Sequence, residues 1–338
     1  MMQNLIKKIL EGKNLTRQEA GQAMDIIMTG KARKEEIIAF LTALSAKGET
    51  IDEITGCAEK MRQHAVNIIP QQNNLVDTCG TGGDKSGTFN ISTVSAFVAA
   101  GAGIPIAKHG NRSVSSKCGS ADVLEALGVK VDLEPKQVEE CISKVGIGFI
   151  FAPKFHPAMK HAMPARKEMG KRSIFNILGP LTNPAKAGAQ VLGVFSPDLT
   201  EVMAEVLNKL GSREAIIVHG LDGLDEITIC ERTKVSHLKD GSIRNYFLQP
   251  EDFNLSMAHP EEIKGGSASD NANITLEILK EKQIGPKRDI VLLNAAAAIV
   301  VGGKARELKE GIELAAESID SGAANEKLTE LIDFTNKN

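Results

Sequence analysis

Tryptophan is absent from this 338-residue chain, and Tyr246 is its only tyrosine. Aromatics make up 4 % of the residues while hydrophobic residues make up 42 %, so Leu, Ile, Val and Ala must fill a substantial core. Five cysteines (Cys57, Cys79, Cys118, Cys141 and Cys230) are scattered without CxxC spacing. An odd, dispersed set excludes a disulfide framework and gives no zinc spacing; free thiols in a reducing compartment are expected. No apolar run reaches the length of a membrane span. The stretch IVLLNAAAAIVVGG is short and Ala-rich, and reads as a buried core helix. The opening MMQNLIKKILEGKN is amphipathic and too polar for a signal-peptide core. Net charge is only −3, with a pI near 6.2, which argues against a chain that coats nucleic acid. A soluble cytoplasmic protein without membrane or nucleic-acid partners is expected. Also missing are GxxxxGK[ST], HExxH and GxSxG, so a Walker loop, a zincin site and a serine nucleophile elbow find no support.

What is present is organised in two parts. Up to about residue 67, apolar residues recur at helical spacing in four segments punctuated by Gly12, Gly30 and Gly48, with Thr16 and Thr50 at N-cap positions. After Pro70, short apolar runs alternate with helical segments: LVDTC, IPIAKHG, IGFIFAP, VLGVFS and REAIIVHG read as strands. That rhythm predicts an α/β fold: a small N-terminal helical domain plus a large domain with a mostly parallel central sheet flanked by helices. Residues 156–185 break the rhythm with a helical pattern and then FNILGPLTNPAKAG, so about 157–185 is expected to return to the helical unit. The predicted division is 1–70 with this returning segment, against 71–156 and 186–338. Residues 227–265 read as a meander of strands and turns, and the remainder as helices.

Chemistry concentrates at predicted strand ends. The first strand runs into Cys79-Gly80-Thr81-Gly82-Gly83-Asp84, a turn whose amides can converge on an oxyanion. It is not a dinucleotide fingerprint, because Lys85 stands at the third glycine position. Thr88, Asn90, Ser92 and Thr93 then crowd a helix start, where one or two would suffice for capping. After the next strand come Lys108, His109, Gly110, Asn111, Arg112 and Ser113, with Ser115, Ser116 and Ser120 beyond. Lys and Arg neutralise phosphates and serines donate to them. Taken alone this would be a solvated basic loop; beside a glycine turn it becomes part of a site. A later strand ends in GLDGLDE, and the adjacent Asp225 and Glu226 suit Mg²⁺ shared with substrate phosphates. Arg166, in PARKEMGKR, is a candidate carboxylate clamp, not separable by sequence from Lys167, Lys171 or Arg172.

In order along the chain, GTGGD, NIST, KHGNR, SSKCGSADVLEALG, RKEMGKRSIFNILGPLTNP and GLDEI resemble the anthranilate phosphoribosyltransferase family over essentially the whole length. The resemblance implies attack of the anthranilate amine on C1 of 5-phosphoribosyl 1-pyrophosphate (PRPP), an active site at the hinge between two domains, and a homodimer. It also implies that Gly80, Gly83, Asp84, Thr88, Asn90, Ile91, Ser92, Thr93, Lys108, His109, Gly110, Asn111, Arg112, Ser113, Val114, Ser115, Ser116 and Ser120 surround PRPP. Ser92, Asp225 and Glu226 would bind Mg²⁺. Gly80, Asn111 and Arg166 would hold anthranilate, with His109 nearby. No covalent catalytic residue is expected. Nucleoside phosphorylases share this architecture, but their lysine-serine phosphate motif is absent here.

Overall fold

The computed structural model describes residues 1–84, 86–113, 118–280 and 284–337. Four helices open the chain: α1 (Met2–Leu10), α2 (Arg17–Met28), α3 (Lys34–Lys47) and α4 (Ile51–His64). Thr16 and Thr50 cap α2 and α4, each accepting from the amide of a glutamate three residues on, while that glutamate returns the bond. The Thr50 partner, Glu53, is fully buried and also takes the Leu15 amide and the Lys47 ammonium. A buried carboxylate needs such saturation, and here it staples the bundle's loops together.

The larger part alternates strands and helices. In order come β1 (Val76–Asp77), α5 (Ile91–Gly101), β2 (Ile106–Gly110), α6 (Ser120–Ala126), α7 (Pro135–Val145) and β3 (Ile147–Phe151). Then follow α8 (Ala152–Phe155), α9 (Met163–Met169), α10 (Phe175–Leu178), β4 (Ala189–Gly193), α11 (Leu199–Lys209) and β5 (Glu214–Gly220). Two edge strands, β6 (Thr233–Lys239) and β7 (Ser242–Leu248), precede α12 (Ala268–Leu279), α13 (Pro286–Val301), α14 (Leu308–Asp320) and α15 (Ala323–Lys337). The sheet order is β3-β2-β1-β4-β5-β6-β7, parallel through β5 and antiparallel beyond it. The chain moves outward from β1 to β2 and β3, then crosses back to start β4 on the other side of β1. The switch point therefore lies between β1 and β4, where open α/β sheets bind ligands.

The expected strand over LVDTC is only Val76–Asp77, because the chain peels away into the glycine turn. The segment after β3 is not one helix: Pro157 and Pro164 divide it into a 3₁₀ turn and α9. The Ala-rich stretch forms α13 and is buried over Ile290–Val301, as its composition suggests. One sheet face packs on α5, α13, α14 and α15. The other joins α11 to the N-terminal helices and to Ala162, Ala165, Ile174, Phe175 and Leu178 of the returning segment, in one continuous apolar cluster.

Helices α2 and α4 touch through Gly21 and Gly56. A Cβ at Gly56 would stand 2.0 Å from the Arg17 carbonyl oxygen, which is backbone and cannot swing aside. Gly56→Ala should therefore destabilise the protein by about 1–3 kcal/mol, as overpacking does. Chemical denaturation monitored by circular dichroism checks this; an unchanged midpoint would contradict the close packing.

Candidate active site

The turn after β1 leans onto the end of β4. Thr81 donates its amide to the Gly193 carbonyl at 2.8 Å, and its hydroxyl accepts from the Phe195 amide at 3.1 Å. A side chain at Gly80 would be tightly placed, its Cβ 3.2 Å from both the Gly193 oxygen and an Asp225 carboxylate oxygen. The acidic turn after β5 arrives at the same place: the Gly82 amide donates to Asp225 Oδ2 at 2.8 Å. Gly193 has no room either, its Cβ position being 1.6 Å from the Asp225 carbonyl oxygen. Glycine turn, β4 end and acidic turn are thus one packed unit.

Three acids meet there. Burial, then the nearby Asp84, push Asp225 above the usual carboxylate range. Burial, then Asp225, do the same to Glu226, while Ser92 favours its ionised form. Carboxylates held this close repel one another, and a cation relieves the repulsion. The donors are oxygens, which suits Mg²⁺.

Lys108 and His109 leave β2 on opposite faces, as alternation requires. Lys108 is buried and donates to the Thr78 carbonyl (3.0 Å), the Thr78 hydroxyl (3.1 Å) and the Ser92 hydroxyl (3.4 Å). Burial lowers its pKa, with nearby Cys79 and Asp77 opposing. His109 is equally buried, its ring 5.1 Å from that of His156. Burial, then His156, push His109 down to about 3, so it is neutral at pH 7.

The other expected residues spread outward. Ile91 and Thr93 are buried at the start of α5, and Thr93 Oγ1 has no partner. Thr88 forms an isolated bridge with Lys264. Asn90 holds the Cys118 carbonyl and takes the Asn271 amide group. Gly110 abuts Ser120, whose hydroxyl donates to the Asn111 carbonyl at 3.2 Å. Ser113 donates its amide to Asp122. Arg112 faces outward here, paired with Asp122 and Glu125, which raise its pKa. Val114, Ser115 and Ser116 lie outside the described residues. Arg166 packs its guanidinium over Phe175 at 5.2 Å and reaches the Met163 sulfur at 3.9 Å, with no carboxylate paired to it among the described residues. Arg172 is separable from it after all: it stacks on Phe195 at 4.0 Å and donates to the Gly83 carbonyl.

Sequence reasoning missed Asp77. It accepts the His109 amide (3.1 Å) and the Asn183 amide group (2.7 Å), and Asn183 also donates to the Ala107 carbonyl (2.8 Å). This ties β1, β2 and the returning segment beneath the site. An acid within an otherwise apolar strand was the available signal.

A glycine turn, three acids and a buried lysine thus share one rim of a two-part α/β scaffold. A glycosyl transferase family helical bundle domain matches residues 3–65, and the glycosyl transferase family a/b domain matches 72–325. The anthranilate phosphoribosyltransferase of Acetivibrio thermocellus is 57 % identical over 99 % of this chain and 97 % of its own. That of Desulfosudis oleivorans is 56 % identical over the full length of both. The crystal structure of the Thermus thermophilus enzyme superposes with a TM-score of 0.94 at 43 % identity, covering 98 % of this chain and 99 % of the other. A Saccharomyces cerevisiae anthranilate phosphoribosyltransferase in complex with PRPP and Mg gives 0.92 at 29 % identity, covering 100 % and 98 %. This chain belongs to the anthranilate phosphoribosyltransferase family.

Burial raises the Asp77 pKa to about 6, against the pull of Asn183. A raised carboxyl favours the fold when protonated, so its contribution declines as pH rises through 6. Asn183→Ala removes a donor to the ionised form. It should cost roughly 1.5–3 kcal/mol at pH 8 and less at pH 5. Denaturant titrations at both values test this; a pH-independent loss would contradict the assigned charge.

Proposed function

We propose that this chain transfers the phosphoribosyl group of PRPP to the amine of anthranilate. The products are N-(5-phosphoribosyl)anthranilate and pyrophosphate, the second step of tryptophan biosynthesis from chorismate. Full-length similarity to relatives bearing that activity supports the reading. So do yeast neighbours solved with PRPP and Mg or with 4-fluoroanthranilate. The observation that carries it is the Gly82–Asp225 contact, which places an amide turn and an acid pair on one spot.

In this reading Gly80, Gly83 and Asp84 with Thr88, Asn90 and Ser92 line the PRPP side, and Lys108 fixes Ser92. Ser92, Asp225 and Glu226 hold Mg²⁺, with Asp84 adjoining. When bound, Mg²⁺ stabilises the charge that develops on departing pyrophosphate. Arg166 takes the anthranilate carboxylate, with Gly80, Asn111 and neutral His109 completing that pocket. An aromatic amine is uncharged at pH 7, so no strong general base is needed. The chain's task is to hold the amine behind C1, which supplies rate by proximity. Arg112 must leave Asp122 and Glu125 to reach a phosphate. The two lobes are 1–70 with 157–185, and 71–156 with 186–338. Closure between them keeps water from the sugar cation. The protein works as a cytoplasmic homodimer; among the described residues no helix is long and apolar enough to cross a membrane.

Purified protein with both substrates and Mg²⁺ should consume anthranilate fluorescence, and chelation should stop it. Asp225→Asn with Glu226→Gln should raise the Mg²⁺ requirement. Folded protein that leaves the fluorescence untouched would end this reading. Arg166→Ala should raise the anthranilate KM roughly 10- to 100-fold, the worth of a charge-assisted pair, and barely change that for PRPP. Equal changes in both KM values would remove Arg166 from the acceptor pocket.

A further inference from the structure

Asp77 ends β1, and Cys79 follows two residues on, where the chain turns away into the glycine loop. The His109 amide donates to the Asp77 carboxylate at 3.1 Å, which brings the end of β2 against the end of β1. The ligating oxygen, sulfur and nitrogen atoms of these three residues all lie within 4.8 Å of one another. Cysteine spacing in the sequence points away from zinc; the fold creates a grouping that spacing does not reveal.

His109 supplies the second observation. It is 4 % exposed, and neither Nδ1 nor Nε2 makes a hydrogen bond of good geometry, the Gly179 backbone being near enough only for a poorly aligned one. Leaving a buried polar group unpaired is costly. His219, just as buried, bonds the Val194 carbonyl at 2.7 Å. Asp77 is not saturated either: the Asn183 amide group and the His109 and Thr78 amides leave part of its four lone-pair sites open.

We infer that Asp77, Cys79 and His109 form a binding site for a borderline-soft divalent cation, Zn²⁺ in the first instance. Zinc takes sulfur, nitrogen and oxygen together in tetrahedral sets, with a fourth position for water. Magnesium prefers oxygen and does not compete for thiolate and imidazole. The site is thus chemically separate from the all-oxygen donors at Asp225 and Glu226. Binding forms one bond each to Sγ, an imidazole nitrogen and a carboxylate oxygen, and the thiol proton passes to solvent. Asn183 and the His109 amide orient the carboxylate from outside, as outer contacts do in metal sites. The Lys108 ammonium, a nearby positive charge, is turned to the other face toward Thr78 and Ser92. An occupied site ties the end of β1 to β2 and fixes the His109 ring.

The test is equilibrium dialysis of the reduced full-length protein against Zn²⁺ in a large excess of Mg²⁺, using a phosphine reductant that does not chelate. Cd²⁺ serves as a second probe, read by its thiolate charge-transfer absorbance. One Zn²⁺ per chain should be retained. Cys79→Val and His109→Gln should each weaken binding by on the order of 100-fold or more, since even outer contacts are worth 10–100-fold. Cys230→Ser should keep both affinity and absorbance. Circular dichroism establishes that each variant is folded. Unchanged cadmium absorbance in Cys79→Val would overturn the inference. So would failure of the parent protein to retain zinc against magnesium, a result that needs no variant.

Discussion

The Asp225 carboxylate accepting the Gly82 amide at 2.8 Å is the contact on which the site depends. It joins the turn after β1 to the turn after β5, two segments 143 residues apart. Neither turn would be a site alone. A glycine turn is a common strand-to-helix connection, and an acid pair is a common surface feature. Their union requires β4 between them to end without side chains, and Gly193 meets that requirement because any Cβ there would strike Asp225.

From that contact the rest follows by geometry. Parallel strands deliver all their C-terminal ends to one rim, and the reversal of strand order between β1 and β4 opens a crevice there. Alternation along β2 sends Lys108 to one face, to anchor Ser92, and His109 to the other, against His156. The returning segment closes the arrangement from outside. Arg172 grips the glycine turn through Gly83, and Asn183 grips Asp77 and Ala107. Both residues belong to a stretch whose apolar side chains pack with the N-terminal helices. The same segment therefore touches both the glycine turn and the helical bundle.

Much of this was legible in the sequence because local signals and global fold agree. Thr16 and Thr50 announced helix starts, and the structure uses both as caps. Alternating strands and helices implied a parallel sheet, and the Ala-rich stretch implied a central buried helix. What stayed hidden depends on tertiary pairing. Asp77 was hidden because its partners, Asn183 and the His109 amide, lie far along the chain. Arg112 reads as a phosphate ligand in sequence, yet its partners here are Asp122 and Glu125 on the next helix. Arg166 and Arg172 share one basic run and differ only in where the fold sends them: one over Phe175, the other onto Phe195 and Gly83.

The most direct check is a crystal structure of the protein grown with PRPP and Mg²⁺. The account predicts the diphosphate between the Gly80–Asp84 turn and the Asp225–Glu226 pair, with Asp225 turned from the Gly82 amide toward the metal. Diphosphate density at the opposite rim of the sheet, or an Asp225–Gly82 bond untouched while the ligand sits elsewhere, would contradict it.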